Sequence, residues 1–215
     1  LFGGGDISAN RIRFNLAEPL GGRLNGNDAS ALLTQNPWGE VELVFDDCEQ
    51  GVLNYDSDTM GSGSLPLLRL TKVDGLDCGE ATASELARRW TGSWFDPDLN
   101  GQGIMMHVTP TQQGPRLSTL WMTYQDDGSQ ASLYSAAPLQ DLEQAIFNGV
   151  IRPTGPTFNN GTQGNEFQRN EWGVFGLVST QCDSARLEYV SVDARFGSGE
   201  QELTRFSTPL GTSCL

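Results

Sequence analysis

Trp38-Gly39-Glu40-Val41-Glu42-Leu43-Val44-Phe45 is the stretch on which the fold turns. Val41, Leu43 and Phe45 alternate with Glu40 and Glu42, so apolar side chains take one face and carboxylates the other. That is the period of a strand, not of a helix. The same opening returns later in the chain. Trp172-Gly173, Leu177-Val178, Cys182, Leu187 and Tyr189 repeat Trp38-Gly39, Leu43-Val44, Cys48, Leu53 and Tyr55 at a constant offset of 134. Further on, Gly61, Gly63, Leu67, Arg69, Gly75 and Cys78 meet Gly197, Gly199, Leu203, Arg205, Gly211 and Cys214 at an offset of 136, which one two-residue insertion explains. Upstream, Pro19 and Gly21 match Pro153 and Gly155, and Leu1-Phe2 matches Leu133-Tyr134 at an offset of 132.

The repeat is therefore internal and long. It runs out in one direction, because the stretch from about Thr91 to Gln130 has no counterpart ahead of Leu1. Residues 91–215 read as one complete unit and residues 1–78 as a partial unit lacking its first strands. In the complete unit, period-two runs separated by Asp127-Gly128, Asn148-Gly149 and Gly197-Ser198-Gly199 predict about eight strands: 92–96, 103–110, 116–125, 130–138, 145–152, 167–180, 186–194 and 200–208. The partial unit keeps about five. One segment departs from this pattern. Thr82 to Arg89 carries helix formers, a Thr82-x-x-Glu85 capping box and terminal arginines, and reads as a short linker helix within residues 79–90. The expected fold class is all-β: tandem antiparallel up-and-down barrel or sandwich units.

The four cysteines fall two per unit, with no CxxC and no histidine nearby, so zinc is poorly supported. Their repeated spacing predicts Cys48–Cys78 and Cys182–Cys214 disulfides, the alternative being four buried free thiols. Disulfides point to a secreted, periplasmic or cell-surface location. Thirteen Lys and Arg against 27 Asp and Glu leave a net charge of −14, which repels phosphate backbones and speaks against a nucleic-acid partner. The chain also lacks a basic membrane-surface face, and no apolar run reaches a bilayer-spanning length, so no membrane insertion is expected. No signal peptide is visible, and an opening on Leu1 rather than Met reads as a processed or trimmed product.

Thr91-Gly92-Ser93-Trp94-Phe95-Asp96-Pro97-Asp98-Leu99-Asn100-Gly101-Gln102-Gly103, followed by Leu120-Trp121-Met122-Thr123-Tyr124-Gln125-Asp126-Asp127-Gly128, resembles a β-repeat of secreted proteobacterial proteins. Its pattern is G-x-W-(Y/W/F)-(D/N)-P-x-x-x-G-x-G, then W-x-x-Y-x-x-x-G, closing on a Cys, a Tyr and a terminal Arg strand. Trp38 to Thr71 and Trp172 to Phe206 fit that ending. The resemblance implies a β fold, a bacterial origin and export. It implies no reaction, since the family has no established activity. Gln130-Ala131-Ser132-Leu133 departs from it, an aromatic being usual there. Gly92-x-Trp94 is also similar to the first strand of lipocalin and avidin barrels.

Several constellations invite a chemical reading. Asp96, Asp98 and Asn100, with Gly101, match the first half of a calcium loop, although His107 stands where a bidentate Glu belongs and turn chemistry explains the same residues. Apart from calcium no cofactor is expected. Trp94, Trp121 and Tyr124 are candidates for stacking a sugar or small ligand near a barrel mouth, or for filling the barrel. Carboxylate pairs at Asp46-Asp47, Asp126-Asp127 and Glu40 with Glu42 are the candidates for hydrolysis, with turns and solvated faces as the plain reading. His107, the sole histidine, has no nucleophile-elbow serine to serve and reads as structural. Three functions are thus in play. The first is an exported, non-enzymatic structural or adhesive module, with residues 1–78 completed by an upstream fragment or another copy, even as a filament. The second is a glycan- or small-ligand-binding barrel. The third is a carboxylate-dependent hydrolase.

Overall fold

The computed structural model describes residues 3–22, 24, 34–78, 80–99, 101–125, 127–155 and 167–213, with backbone only at 80 and 81. Strand takes up 63% of the described residues and helix 3%, which makes the fold all-β. Two units divide it: Leu1–Leu20 with Leu33–Thr71, and Gly21–Leu32 with Lys72–Leu215.

The first unit is an open five-stranded antiparallel sheet in the order β1-β2-β3-β4-β5. Its strands are β1 (Gly5–Ser8), β2 (Arg11–Leu20), β3 (Thr34–Phe45), β4 (Gln50–Ser57) and β5 (Gly61–Leu68). Trp38, Val41 and Tyr55 are buried on one face, with Phe14, Leu16, Leu43, Leu53 and Leu65 partly buried around them. The opposite face is charged: Glu42 accepts from Arg13 Nε at 2.8 Å and from Arg11 at 3.4 Å.

The second unit holds β6 (Leu76–Asp77), β7 (Glu80–Ala81), α1 (Glu85–Trp90), β8 (Gly92–Phe95), β9 (Gly103–Thr109), β10 (Arg116–Tyr124), β11 (Gln130–Pro138), β12 (Gln144–Thr154), β13 (Gln168–Gln181), β14 (Ser184–Ser191) and β15 (Ser198–Ser207). From β8 to β15 every strand pairs with the next, and β15 returns to β8, closing an eight-stranded barrel. Between barrel and sandwich, the structure decides for the barrel. Closure leaves no edge. Burial along β10 alternates as the pleat requires, with Leu117, Thr119, Trp121 and Thr123 inside.

The helix corrects one detail of the sequence reading. Its N-cap is Ser84, whose Oγ accepts from the Ala87 amide at 3.1 Å, and not Thr82. The helix is also packed, since Ala87 and Trp90 are fully buried in the barrel's core cluster. Trp90 Nε1 donates to the Asp141 carbonyl at 3.2 Å, and Arg89 Nε to that of Leu142 at 3.3 Å. Val73, Leu76 and Leu86 pack against the same core, so the stretch from Lys72 belongs to the second unit rather than to residues 1–78.

The repeat is visible in the ladders. Phe14 opposite Val41, Val41 opposite Tyr55 and Tyr55 opposite Gly63 in the open sheet correspond to Phe147 opposite Phe175, Phe175 opposite Tyr189 and Tyr189 opposite Gly199 in the barrel. Leu43 faces Leu53 as Leu177 faces Leu187. Both Trp-Gly steps sit at a register shift, between Leu16 and Ala17 in one unit and between Val150 and Ile151 in the other, which leaves Trp38 and Trp172 as the extra residues of matching bulges. Ser57 Oγ donates to the Trp38 carbonyl at 2.6 Å, and Ser191 Oγ to that of Trp172 at 2.8 Å. β1 to β5 therefore hold the places of β11 to β15, and the open sheet has no counterparts of β8, β9 and β10 among the described residues.

Candidate functional site

The candidate site of an eight-stranded barrel is its interior and its two ends. The end at which β8 begins is closed by α1. Gly92 has φ +150°, and a Cβ there would lie 2.4 Å from the Ser207 carbonyl oxygen. Only glycine lets β15 come that close where the barrel seals. Two residues on, Trp94 points inward at 1% exposure and donates from Nε1 to the Trp90 carbonyl at 3.1 Å. The Arg205 guanidinium lies over its ring, 4.4 Å from the centroid. The Arg205 side chain is 2% exposed, forms an ion pair with Asp183 at 3.3 Å, and donates to the carbonyls of Arg88 at 2.8 Å, Cys182 at 2.6 Å and Arg89. Burial pulls its pKa below the usual arginine value, and Asp183 opposes that shift. One side chain thus ties the last strand, the first strand and the helix together. The sequence showed Arg205 only as the repeat mate of Arg69, with no hint of this work.

The middle of the barrel is filled. Trp121 meets Trp172, Tyr189 and Phe175 edge-on at centroid distances of 5.5, 5.3 and 6.1 Å, and Phe147 packs on Phe175 at 4.5 Å. At the other end, the backbone of Gly21, Gly22 and Leu24 lies against the barrel. Gly21 N–H donates to the Gly128 carbonyl at 2.9 Å, and Gln102 Nε2 donates to that of Leu24 at 3.4 Å while Thr123 donates to Gln102 Oε1 at 2.7 Å. A Cβ on Gly22 would fall 2.1 Å from the Tyr124 ring. Sequence reasoning missed this cap, because nothing local in Gly21-Gly22 announces a partner a hundred residues away.

The residues expected to form a stacking platform are therefore interior packing. Trp94, Trp121 and Tyr124 are at most 1% exposed, and no ring face of theirs meets solvent. Among the described residues, the buried polar atoms with no hydrogen-bond partner include Trp172 Nε1, Gln201 Nε2 and Tyr124 Oη, whose pKa burial raises.

Asp47, Asp127 and Glu42 each accept hydrogen bonds within the sheet or turn that carries them. Asp47 Oδ1 accepts from the Glu49 and Gln50 amides at 2.7 and 2.9 Å. Asp127 accepts from the Ser129 amide and hydroxyl at 2.9 and 2.6 Å, which lowers its pKa, while Asp126 lies outside the described residues. Glu42 is lowered by its hydrogen bond from Arg13. A general acid at neutral pH needs a raised carboxyl pKa, and these two shift the other way. In the calcium-like loop, Asp96 Oδ1 accepts from the Asp98 amide at 2.9 Å and Oδ2 from the Glu202 amide at 3.2 Å, while Asn100 lies outside the described residues. No group of three metal-ligating side chains gathers there among the described residues. His107 stands on the outer wall of β9, in a shallow hollow with Met105, Leu120 and Tyr134.

Cys48 and Cys78 form a disulfide. Cys182 is disulfide-bonded as well, and its expected mate Cys214 lies outside the described residues. Among the described residues no helix is long and apolar enough to cross a membrane. Comparison with protein families, with curated proteins and with solved structures found no match to this chain.

Proposed function

We propose that this protein is an exported, non-enzymatic structural or adhesive β-module whose barrel serves as a rigid support. The observation that carries this reading is the barrel interior: packed with aromatic side chains, floored by α1 and covered by Gly21, Gly22 and Leu24. The disulfides fit an oxidising compartment. The locally bonded carboxylates fit turns and surface pairs better than hydrolysis. Calcium at Asp96, Asp98 and Asn100 is not needed for this role.

A second reading, a small-ligand barrel, draws on one observation, the buried donors Trp172 Nε1 and Gln201 Nε2. A guest with acceptor oxygens would satisfy them. Tryptophan fluorescence separates the two readings, because any guest inside must disturb the Trp121–Trp172 pair. Titration with a panel of mono- and oligosaccharides and small organic acids should leave the emission unchanged, and a glycosidase and esterase screen should show no turnover. A saturable shift that disappears in Gln201→Ala favours the ligand barrel. Turnover overturns the non-enzymatic reading.

A further inference from the structure

Five of eight barrel positions are filled in the first unit, and the second unit shows what the other three hold. At matched positions of the ladder the barrel buries Phe147 to 1%, Val150, Leu177 and Leu187 to 0%, and Leu203 to 2%. Their counterparts Phe14, Leu16, Leu43, Leu53 and Leu67 are only half-buried. The register is the same and the side chains are as large, so the difference is the cover that β8, β9 and β10 provide. Among the described residues the sheet also ends on two strands, β1 and β5, each with one unpaired side in the ladder. Natural sheets rarely leave such edges open. In the barrel the corresponding strands β11 and β15 are closed by β10 and β8.

We propose that a three-stranded meander of the β8–β10 kind, lying N-terminal to β1 in the same polypeptide, completes this sheet into a second barrel. Chain order supports that source, since β10 precedes β11 through a short turn and β1 holds the place of β11. A second copy is a poorer donor. Its own β8 to β10 carry Trp94, Ile104, Leu117 and Trp121, all buried at 1% or less, and lending them would open a closed core. Arg69 is exposed and occupies the position of Arg205, so it marks where the incoming G-x-W tryptophan is received. This inference deepens the structural-module reading and rests on it, while its test reads strand protection and not binding or turnover.

The test joins residues 91–132 of this chain ahead of Leu1, which by the repeat offset rebuilds a full first unit. Hydrogen exchange of the β1 and β5 amides should slow by more than about tenfold relative to the unaltered chain, with both proteins monomeric in sedimentation. Trp→Ala at the added copy of position 94, or Arg69→Ala, should weaken that protection. A folded fusion in which β1 and β5 exchange as before overturns the proposal. So does an unaltered chain that sediments as a dimer with those edges already protected. Should the fusion fail to fold, the unaltered chain decides alone: β1 and β5 must exchange faster than β11 and β15, and equal protection overturns the proposal.

Discussion

Arg205 concentrates more of the architecture than any other side chain. Its two terminal nitrogens donate to three carbonyls, its Nε forms an ion pair with an exposed carboxylate, and its face covers Trp94. Arg205→Ala would leave those part-buried carbonyls without their donor and is expected to cost about 2–3 kcal/mol, measured by denaturant unfolding. Arg205→Lys should recover little of that loss, because a point charge cannot fork or stack in the same way. A smaller effect belongs to Asp193. The side chain and backbone amide of Arg195 hold its carboxyl at about 2, below the ordinary 3.8. A depressed acid stabilises the fold above its unfolded pKa and loses that contribution as pH falls through the folded value. The Asp193 contribution is therefore complete above about pH 4 and lost towards about pH 2. Carboxyl titration by NMR should place the Asp193 midpoint near 2, and Arg195→Ala should return it towards 3.8.

Strands β3 and β13 show why a dipeptide recurs. Gly39 has φ +139° and Gly173 φ +150°, and an added Cβ would sit 2.1 Å from the Asp56 carbonyl oxygen or 2.2 Å from that of Val190. The Trp of each step is the bulged residue, so the Gly must adopt a conformation closed to other residues while the neighbouring strand passes against it. Gly173→Ala is expected to destabilise the barrel by at least about 1–3 kcal/mol from backbone strain alone. Thermal unfolding followed by Trp fluorescence would measure this. Gly176→Ala in the same strand is the control, since nothing lies within 4 Å of its added Cβ, and its melting temperature should hardly move. The helix makes the complementary point. Six residues are too few to be stable alone, and α1 exists because Ala87 and Trp90 are buried in the barrel.

For the whole molecule, the covalent links set the scale. Each predicted disulfide closes a loop of about 30 residues, which in the chain-entropy model contributes about 3–4 kcal/mol. Reduction should therefore lower the melting temperature by well over ten degrees, and peptide mapping of the oxidised protein should recover Cys48–Cys78 and Cys182–Cys214 as separate linked pairs. Crossed pairs would contradict the repeat. Cys48→Ser with Cys78→Ser should be milder than full reduction, because the Cys182 link survives it.

Most of the strand map was legible in the sequence. Period-two alternation is a local property, and the strands found at 92–95, 103–109, 116–124 and 130–138 lie within a residue of those read from it. The repeat was legible too, since the same ladder demands the same residues: Gly199 beneath Tyr189, as Gly63 lies beneath Tyr55. The site was not. Whether eight strands close or split into two layers depends on the pairing of β15 with β8, whose partners Arg205 and Trp94 are far apart in the chain and carry no local mark of each other. The same holds for Gly22 over Tyr124 and for Trp90 beneath the barrel. Trp94, Trp121 and Tyr124 suit a binding face and a core equally well by residue type. Closure decided between them, because the interior of an eight-stranded barrel is just wide enough for side chains to fill.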